Sequence, residues 1–377
     1  MDYNNEEREF NRRRFMDSLL YAATLAALAP RAFAGQKDPA GQEKVKSNAL
    51  SLDGGPDPLP PTRLYPEMPP ARVSVCGVSD SIEDAVREAV MAAGGLEEIE
   101  RGQTVMIKPN MCGPAIKDRY PGRITTNPEV IRAVIRLVKE RGASQIYVGD
   151  RAMFWTDTAI KTSGFAKVCR EEGAIAYPWT RSEYLRFFPK KRHWSKGFRF
   201  PKILTAVDHF INVPLLKNHG IMNSGAEFTC CLKSFVGVCH PEDRHLGDAD
   251  ELHTKNTGEK IAELNLCARP TINIVDAVEI MVSGGPDGMS RKRSVWAQPR
   301  LIIASQDRVA CDSVAVAVLK RYGAEAKVQN GYVAKSVWDQ VQIYYAGELG
   351  IGQAEPANIT IEDIQAPLFD EIKQNWA

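Results

Sequence analysis

Strand-like and helix-like segments alternate through the middle of this chain, and that rhythm limits its fold more than any other feature. Thr104–Lys108 reads TVMIK, an apolar run of strand length. A helix is predicted over Pro128–Arg141. Asn127 can cap it, Pro128 suits a first turn where no amide hydrogen bond is lost, and Gly142 can stop it. Gln145–Gly149 then returns to strand, as Val73–Val78 does before an amphipathic Ser81–Ala93. Parallel neighbours need a crossover between them, and these helices supply it. The expected fold is α/β: a mostly parallel sheet with helices on both faces, as a single large domain or two closely packed lobes. Later strands are expected at His209–Val213, Thr271–Val275, Arg300–Ala304 and Asn358–Glu362, and helices at Gly258–Cys267, Val309–Tyr322 and Val333–Leu349.

Ahead of this rhythm lies a different kind of segment. Asn11–Phe15 reads NRRRF, an apolar run follows from Ser18 to Ala29, and Ala32-Phe33-Ala34 closes it. A basic start, a short apolar stretch and an A-x-A site describe an export signal over residues 1–34. The run is shorter than the roughly 20 residues of a spanning helix, so no stable membrane span is expected after processing. Arg12-Arg13 with Phe15 and Met16 resembles a twin-arginine signal, the alternative being an ordinary secretory one. The expected partner is then the twin-arginine machinery, and the expected location periplasmic or otherwise extracytoplasmic. That route exports folded proteins, often loaded with a cofactor. Residues 35–71 form a Pro/Gly-rich leader, 72–365 the α/β domain and 366–377 a C-terminal tail.

Net charge is +1, with 25% charged residues, which argues against nucleic acid as the main partner. No C-x-x-C occurs, so neither a ferredoxin-type cluster run nor a thioredoxin motif is present. Spacing does not pair the eight cysteines.

Residues 211–253 hold four of the chain's six histidines, with Cys230, Cys231 and Cys239. Soft sulfur, imidazole and carboxylate together point to a metal or acid–base site. Cys239, His240 and His253, with His245, Asp248 and Asp250 between, would suit zinc or iron, although their spacing is not rigid. Cys230 and Cys231 read equally as small core hydrophobes within an apolar Phe228–Gly237. Ligands of parallel sheets gather beyond the strands' carboxyl ends. Lys108 and Asn110 after TVMIK, Asp150 after the next strand, and Lys217 with His219 after a third are therefore placed to meet a small anionic ligand. Asn110 as a turn former and Asn127 as a cap are the plainer alternatives. The loop Ser283–Gly288 follows Asp276 and lets backbone amides approach a ligand through Gly284 and Gly285, but it matches no nucleotide motif. Asp307 suits a helix N-cap, and Asp312 either supports the same helix end or faces the site. The basic aromatic stretch 180–202 reads as an anion-binding surface or as a solvated excursion pinned by its aromatics.

Taken in order, VMIKPN, TTNPEVIRAVIRLVKERGA, VGD, VPLLKNHG, LKSFVG, VDAVEIMVSGGP and SQDRVACDSVAV resemble the family catalogued as domain of unknown function 362, from about Val73 to Gly352. The resemblance singles out Lys217, His219, Lys233, Asp276, Asp307 and Asp312. It also links the chain loosely to iron–sulfur chemistry, since some relatives carry a ferredoxin-like module. The expected site has His219, Lys217 and Asp276 as catalytic groups. Lys108, Asn110, Asp150, Lys233, Gly284 and Gly285 would hold a cofactor or anion, and Cys239, His240 and His253 a metal. The function expected is an exported protein binding a metal or a metal-containing cofactor, iron–sulfur among them, and a small anion, an enzyme of unspecified reaction. A non-catalytic binding or cofactor-delivery protein and a metal-free acid–base enzyme, such as a racemase or lyase, are the alternatives.

Overall fold

The computed structural model describes residues 68–115, 122–190, 193–219, 226–244, 251–285, 294–329, 331–366 and 369–376, all within the compact unit Ala49–Ala377. The segment expected to be an export signal, most of the expected leader, and His245, Asp248 and Asp250 lie outside the described residues.

Thirteen strands are assigned: β1 Ala71–Gly77, β2 Thr104–Pro109, β3 Gln145–Val148, β4 Ile175–Ala176, β5 Tyr184–Phe187, β6 Phe198–Pro201, β7 His209–Val213, β8 Leu215–Asn218, β9 Phe228–Thr229, β10 Ile272–Ser283, β11 Val295–Ala297, β12 Leu301–Ser305 and β13 Ile359–Ile364. The main sheet runs β13-β1-β12-β10-β7-β2-β3-β4. Along this path only β12 runs against its neighbours β1 and β10, and every other pairing is parallel. The sheet is thus mostly parallel, as the βα rhythm requires.

Side chains alternate between two cores with the two-residue period of a strand. Val105, Ile107, Ile211, Val213, Ile302 and Ala304 join one core with the helices Ile82–Ala92, Pro128–Glu140 and Phe165–Glu172. Met106, Phe210, Leu301 and Ile303 join the other, with the helix Arg308–Glu325. Because both faces are covered, each central strand is a near-continuous apolar run, which is why TVMIK shows no polar alternation.

The caps follow the sequence. Ser81 accepts from the Asp84 amide, Asn127 from Glu129, and Asp307 from Val309 and Ala310, each satisfying amides that a helix start leaves open.

Four elements differ from expectation. β10 runs on to Ser283 instead of stopping near Val275, because its second half pairs with β8 and β11; Asp276 therefore sits inside a strand. Lys217 belongs to strand β8 and not to a loop, pairing with Thr229. The predicted helix Val333–Leu349 divides into Gly331–Ala334 and Val341–Glu348 around a turn in which Ser336 and Asp339 bond each other. The tail contains a helix, Phe369–Trp376, whose Trp376 indole donates to Ser313 Oγ at 3.0 Å. The stretch 180–202 forms the β5–β6 hairpin, held by buried Trp194, Phe198 and Phe200 and by Arg199 pairing with Asp243.

Candidate functional site

β2, β3 and β7 are parallel, so their carboxyl ends share one edge of the sheet. The register sets Ile107 of β2 beside Val148 of β3, which brings Lys108 and Asp150 together just beyond. Lys108 Nζ lies 2.9 Å from Asp150 Oδ1 and donates to Ser234 Oγ at 2.9 Å. The other Asp150 oxygen accepts from the Met111 amide, and the Trp179 ring lies 5.6 Å from the ammonium. Burial pushes the Lys108 pKa down while Asp150 pushes it back up. Expected to face a ligand, these two groups neutralise each other in the interior.

Farther along β8 the balance changes. Lys217 is buried and, among the described residues, donates to a neutral carbonyl, Ile124 O, at 2.8 Å. Lys233, in the short helix Cys231–Ser234, is 7% exposed and has neither a hydrogen bond nor an ion pair with another described residue. Burial first and then the nearby Lys217 charge bring its pKa down to about 7, with Cys112 acting in the opposite direction. His219 is held well below the ordinary imidazole value by burial, then by Lys233, Lys217 and His253. Its Nδ1 is buried without a hydrogen bond, while its backbone amide donates to Glu227 O at 2.8 Å. Lys217, His219 and Lys233, separated in sequence, thus act on one another electrostatically. His253 acts on His219 in the same direction. A cluster of nitrogen bases facing no carboxylate among their strongest influences is the least compensated place described, since a buried cation is expensive unless an anion meets it.

The glycine loop positions this cluster. Gly285 donates to Asn218 Oδ1 at 2.8 Å, and a Cβ on Gly285 would lie 2.0 Å from Asn218 O, one residue before His219. Gly284 takes φ +87°, a conformation that favours glycine. Asn110 is tied by its backbone to Thr126, while its side-chain Oδ1 is buried without a hydrogen bond. Asp276 accepts from the Asn127 amide, at the start of the Pro128 helix, at 2.7 Å and from the Val278 amide of its own strand at 3.1 Å, so both oxygens serve backbone amides. Burial raises its pKa to about 6 against those two bonds.

The three metal donors expected from sequence do not converge. Cys239 is buried and its thiol donates to His240 O. His240 stands edge-on to Tyr184 with centroids 4.7 Å apart, and its Nδ1 accepts from the Glu242 amide. Burial, followed by Arg199, takes its pKa to about 4. The donor set that does converge among the described residues is Cys230, Cys231 and Asp312. The two sulfurs are 3.9 Å apart, and Asp312 accepts from the Cys231 and Leu232 amides at 2.6 and 3.1 Å. Burial raises both thiols and takes Asp312 to about 6. Protonated thiols pack as small hydrophobes, and the carboxylate caps a helix start.

The model of the family described as Domain of unknown function (DUF362) matches residues 105–317. The chain belongs to this family. The DUF362 region contains Lys108, Asp150, Lys217, His219, Lys233, Asp276 and Asp312. Among solved structures, lactate racemase apoprotein from Thermoanaerobacterium thermosaccharolyticum is 11% identical with a TM-score of 0.37, covering 61% of this chain and 54% of that one. A Thermotoga maritima protein is also 11% identical, with a TM-score of 0.32, covering 53% of this chain and 51% of that one. The chain thus spans about half the length of either structure, and the likeness is too slight to inform chemistry. No curated protein matches the chain.

Cys112 was missed by sequence reasoning, although it stands two residues beyond Asn110 in the loop after β2. A single cysteine in a loop carries no pattern; only the fold brings it within reach of Lys233. Chemically, the DUF362 cluster offers an anchoring ammonium, an amine near neutrality and an uncharged imidazole, a set that can fix an anion and transfer a proton.

Proposed function

We propose that this DUF362 protein is an enzyme that binds a small anion beside Lys217 and moves a proton on it with Lys233 and His219. One observation carries the reading: Lys217 and Lys233 are buried, His219 keeps a buried Nδ1 without a hydrogen bond, and no carboxylate is among the principal charges acting on Lys233 or His219. An incoming carboxylate or phosphate would supply the missing charge, and low local dielectric would strengthen its contact with the two lysines. Lys217 anchors the anion. Lys233, near neutrality, takes a proton, and neutral His219 accepts or returns one, the role a base poised near the working pH performs. Zinc, iron and iron–sulfur clusters have no role in this reading, because Cys239 and His240 are engaged elsewhere and His253 acts on His219. Export is part of the proposal, on the strength of Arg12-Arg13 and Ala32-Phe33-Ala34.

The test is NMR titration of the purified protein with acetate, lactate and phosphate, followed by deuterium exchange at the lactate α-carbon. At least one anion should bind, and Lys217→Met should weaken binding tenfold or more with the fold intact. Equal binding by wild type and Lys217→Met would overturn the anchoring role. Binding without exchange at any carbon acid tried would favour a binding protein over an enzyme. For export, replacing Arg12 and Arg13 together by Lys should strand the precursor in the cytoplasm; unimpaired export would leave an ordinary secretory signal.

A further inference from the structure

Five lysines are buried among the described residues: Lys108, Lys217, Lys233, Lys260 and Lys320. Four have oxygen partners. Lys108 meets Asp150, Lys217 meets Ile124 O, Lys260 meets Glu251 O and Thr254, and Lys320 meets Val333 O. Lys233 alone has no hydrogen bond or ion pair to another described residue. A methionine there would fill similar space without desolvating a charge.

Its backbone, by contrast, is firmly held. Asp312 caps the two amides that open the short helix, and Ser234, the next residue, accepts from Lys108. Lys217 supplies a second positive charge nearby, and His219 supplies an uncharged imidazole within electrostatic reach. A desolvated lysine beside another cation keeps its nitrogen lone pair available, which is how an amine becomes a nucleophile near neutral pH.

We infer that Lys233 forms an imine with the carbonyl carbon of a small oxo-acid whose carboxylate is held by Lys217. This inference deepens the proposed anion chemistry and rests on it. The Lys233 nitrogen attacks the carbonyl carbon, forming the C–N bond. His219 takes a proton from that nitrogen and returns it to the oxygen, giving a carbinolamine. The second nitrogen proton leaves with the hydroxyl as water, and C=N replaces C=O. No oxidant, reductant or metal enters the balance. The imine then draws electrons from the neighbouring carbon and makes its proton easier to remove, a task suited to the imidazole alongside. An imine-forming lysine also explains why the buried amine is left without a carboxylate among the described residues: a paired ammonium would have no lone pair to offer.

The decisive experiment is reductive trapping. The purified protein is incubated with pyruvate or with glyoxylate and cyanoborohydride, then digested and mapped by mass spectrometry. The expected result is one reduced adduct on the Lys233 peptide, more than tenfold above exposed lysines such as Lys167. Lys233→Arg retains a cation and should still bind acetate by NMR, but give no adduct. Intact acetate binding with no Lys233 adduct from either probe, or with label spread evenly over surface lysines, would overturn the imine and leave the anion site standing. Failure of both binding and trapping would remove the two readings together.

Discussion

Lys233→Met should stabilise this protein at neutral pH while removing its chemistry, and the gain should fade as pH rises. The amine falls from 10.5 in a free lysine to about 7 in the fold, with burial the largest cause and the Lys217 charge next. Each pH unit corresponds to about 1.4 kcal/mol. The unfolded chain therefore binds more protons between the two values, and stability must increase with pH across that window. At about pH 7 the linkage makes the lysine cost roughly 4 kcal/mol relative to an uncharged side chain. Near pH 9.5 the cost falls to roughly a third of that, because the unfolded lysine is itself beginning to lose its proton. Below pH 7 both states carry the charge and the difference levels off. Urea unfolding of wild type and Lys233→Met at the two pH values would measure it, since titrations common to both proteins cancel. The methionine variant should lead by several kcal/mol at neutral pH and by about 3 kcal/mol less in the alkaline buffer. Parallel pH dependences would show that the amine keeps an ordinary value, and the account of an uncompensated nitrogen cluster would fail.

Three further outcomes are expected. Lys108→Met leaves Asp150 charged and buried with the Met111 amide as its remaining donor, so stability should drop by about 3–5 kcal/mol in chemical unfolding, and a near-neutral change would mean the ion pair is not sealed. Gly285→Ala places a methyl 2.0 Å from Asn218 O and should cost roughly 2–4 kcal/mol in thermal unfolding; an unchanged Tm would show that the loop yields without effort. His240→Ala should not alter the protein's metal content by elemental analysis, because its ring is spent on Tyr184 and the Glu242 amide, and a sharp fall in metal would restore the sequence-based metal site.

Much of the architecture was legible because local rules and tertiary demands agree. TVMIK, the Asn127-Pro128 start and the Asp307 cap each state in a few residues what the fold then builds. The misread elements are those whose partners lie far away in sequence. β10 continues past Asp276 because β8 and β11 pair with it, and no local pattern announces that extension. The site follows the same division. Lys217, His219 and Lys233 were visible as polar residues in apolar surroundings, and the structure brings them into one electrostatic cluster. Lys108 and Asp150 were equally conspicuous, but the register of β2 on β3 turns them toward each other. Sequence shows that a polar group is unusual for its place; it does not show whether another unusual group cancels it.

That distinction also separates the histidines from the cysteines near them. Cys230, Cys231 and Cys239 gain from being uncharged, since burial raises all three thiols and each packs with apolar neighbours. His219 and Lys233 gain nothing comparable: among the described residues His219 keeps a buried Nδ1 without a hydrogen bond, and Lys233 an amine without an oxygen partner. Apolar residues at both positions would avoid these costs, each on the order of 1–3 kcal/mol for a buried unsatisfied group. A folded chain of marginal stability can sustain two such costs within one cluster when a ligand offsets them. Their coincidence at the shared carboxyl edge of a parallel sheet is therefore stronger support for a binding site than either group alone, and it directs the search to anions that can pair with Lys217 and still offer Lys233 an atom to act on.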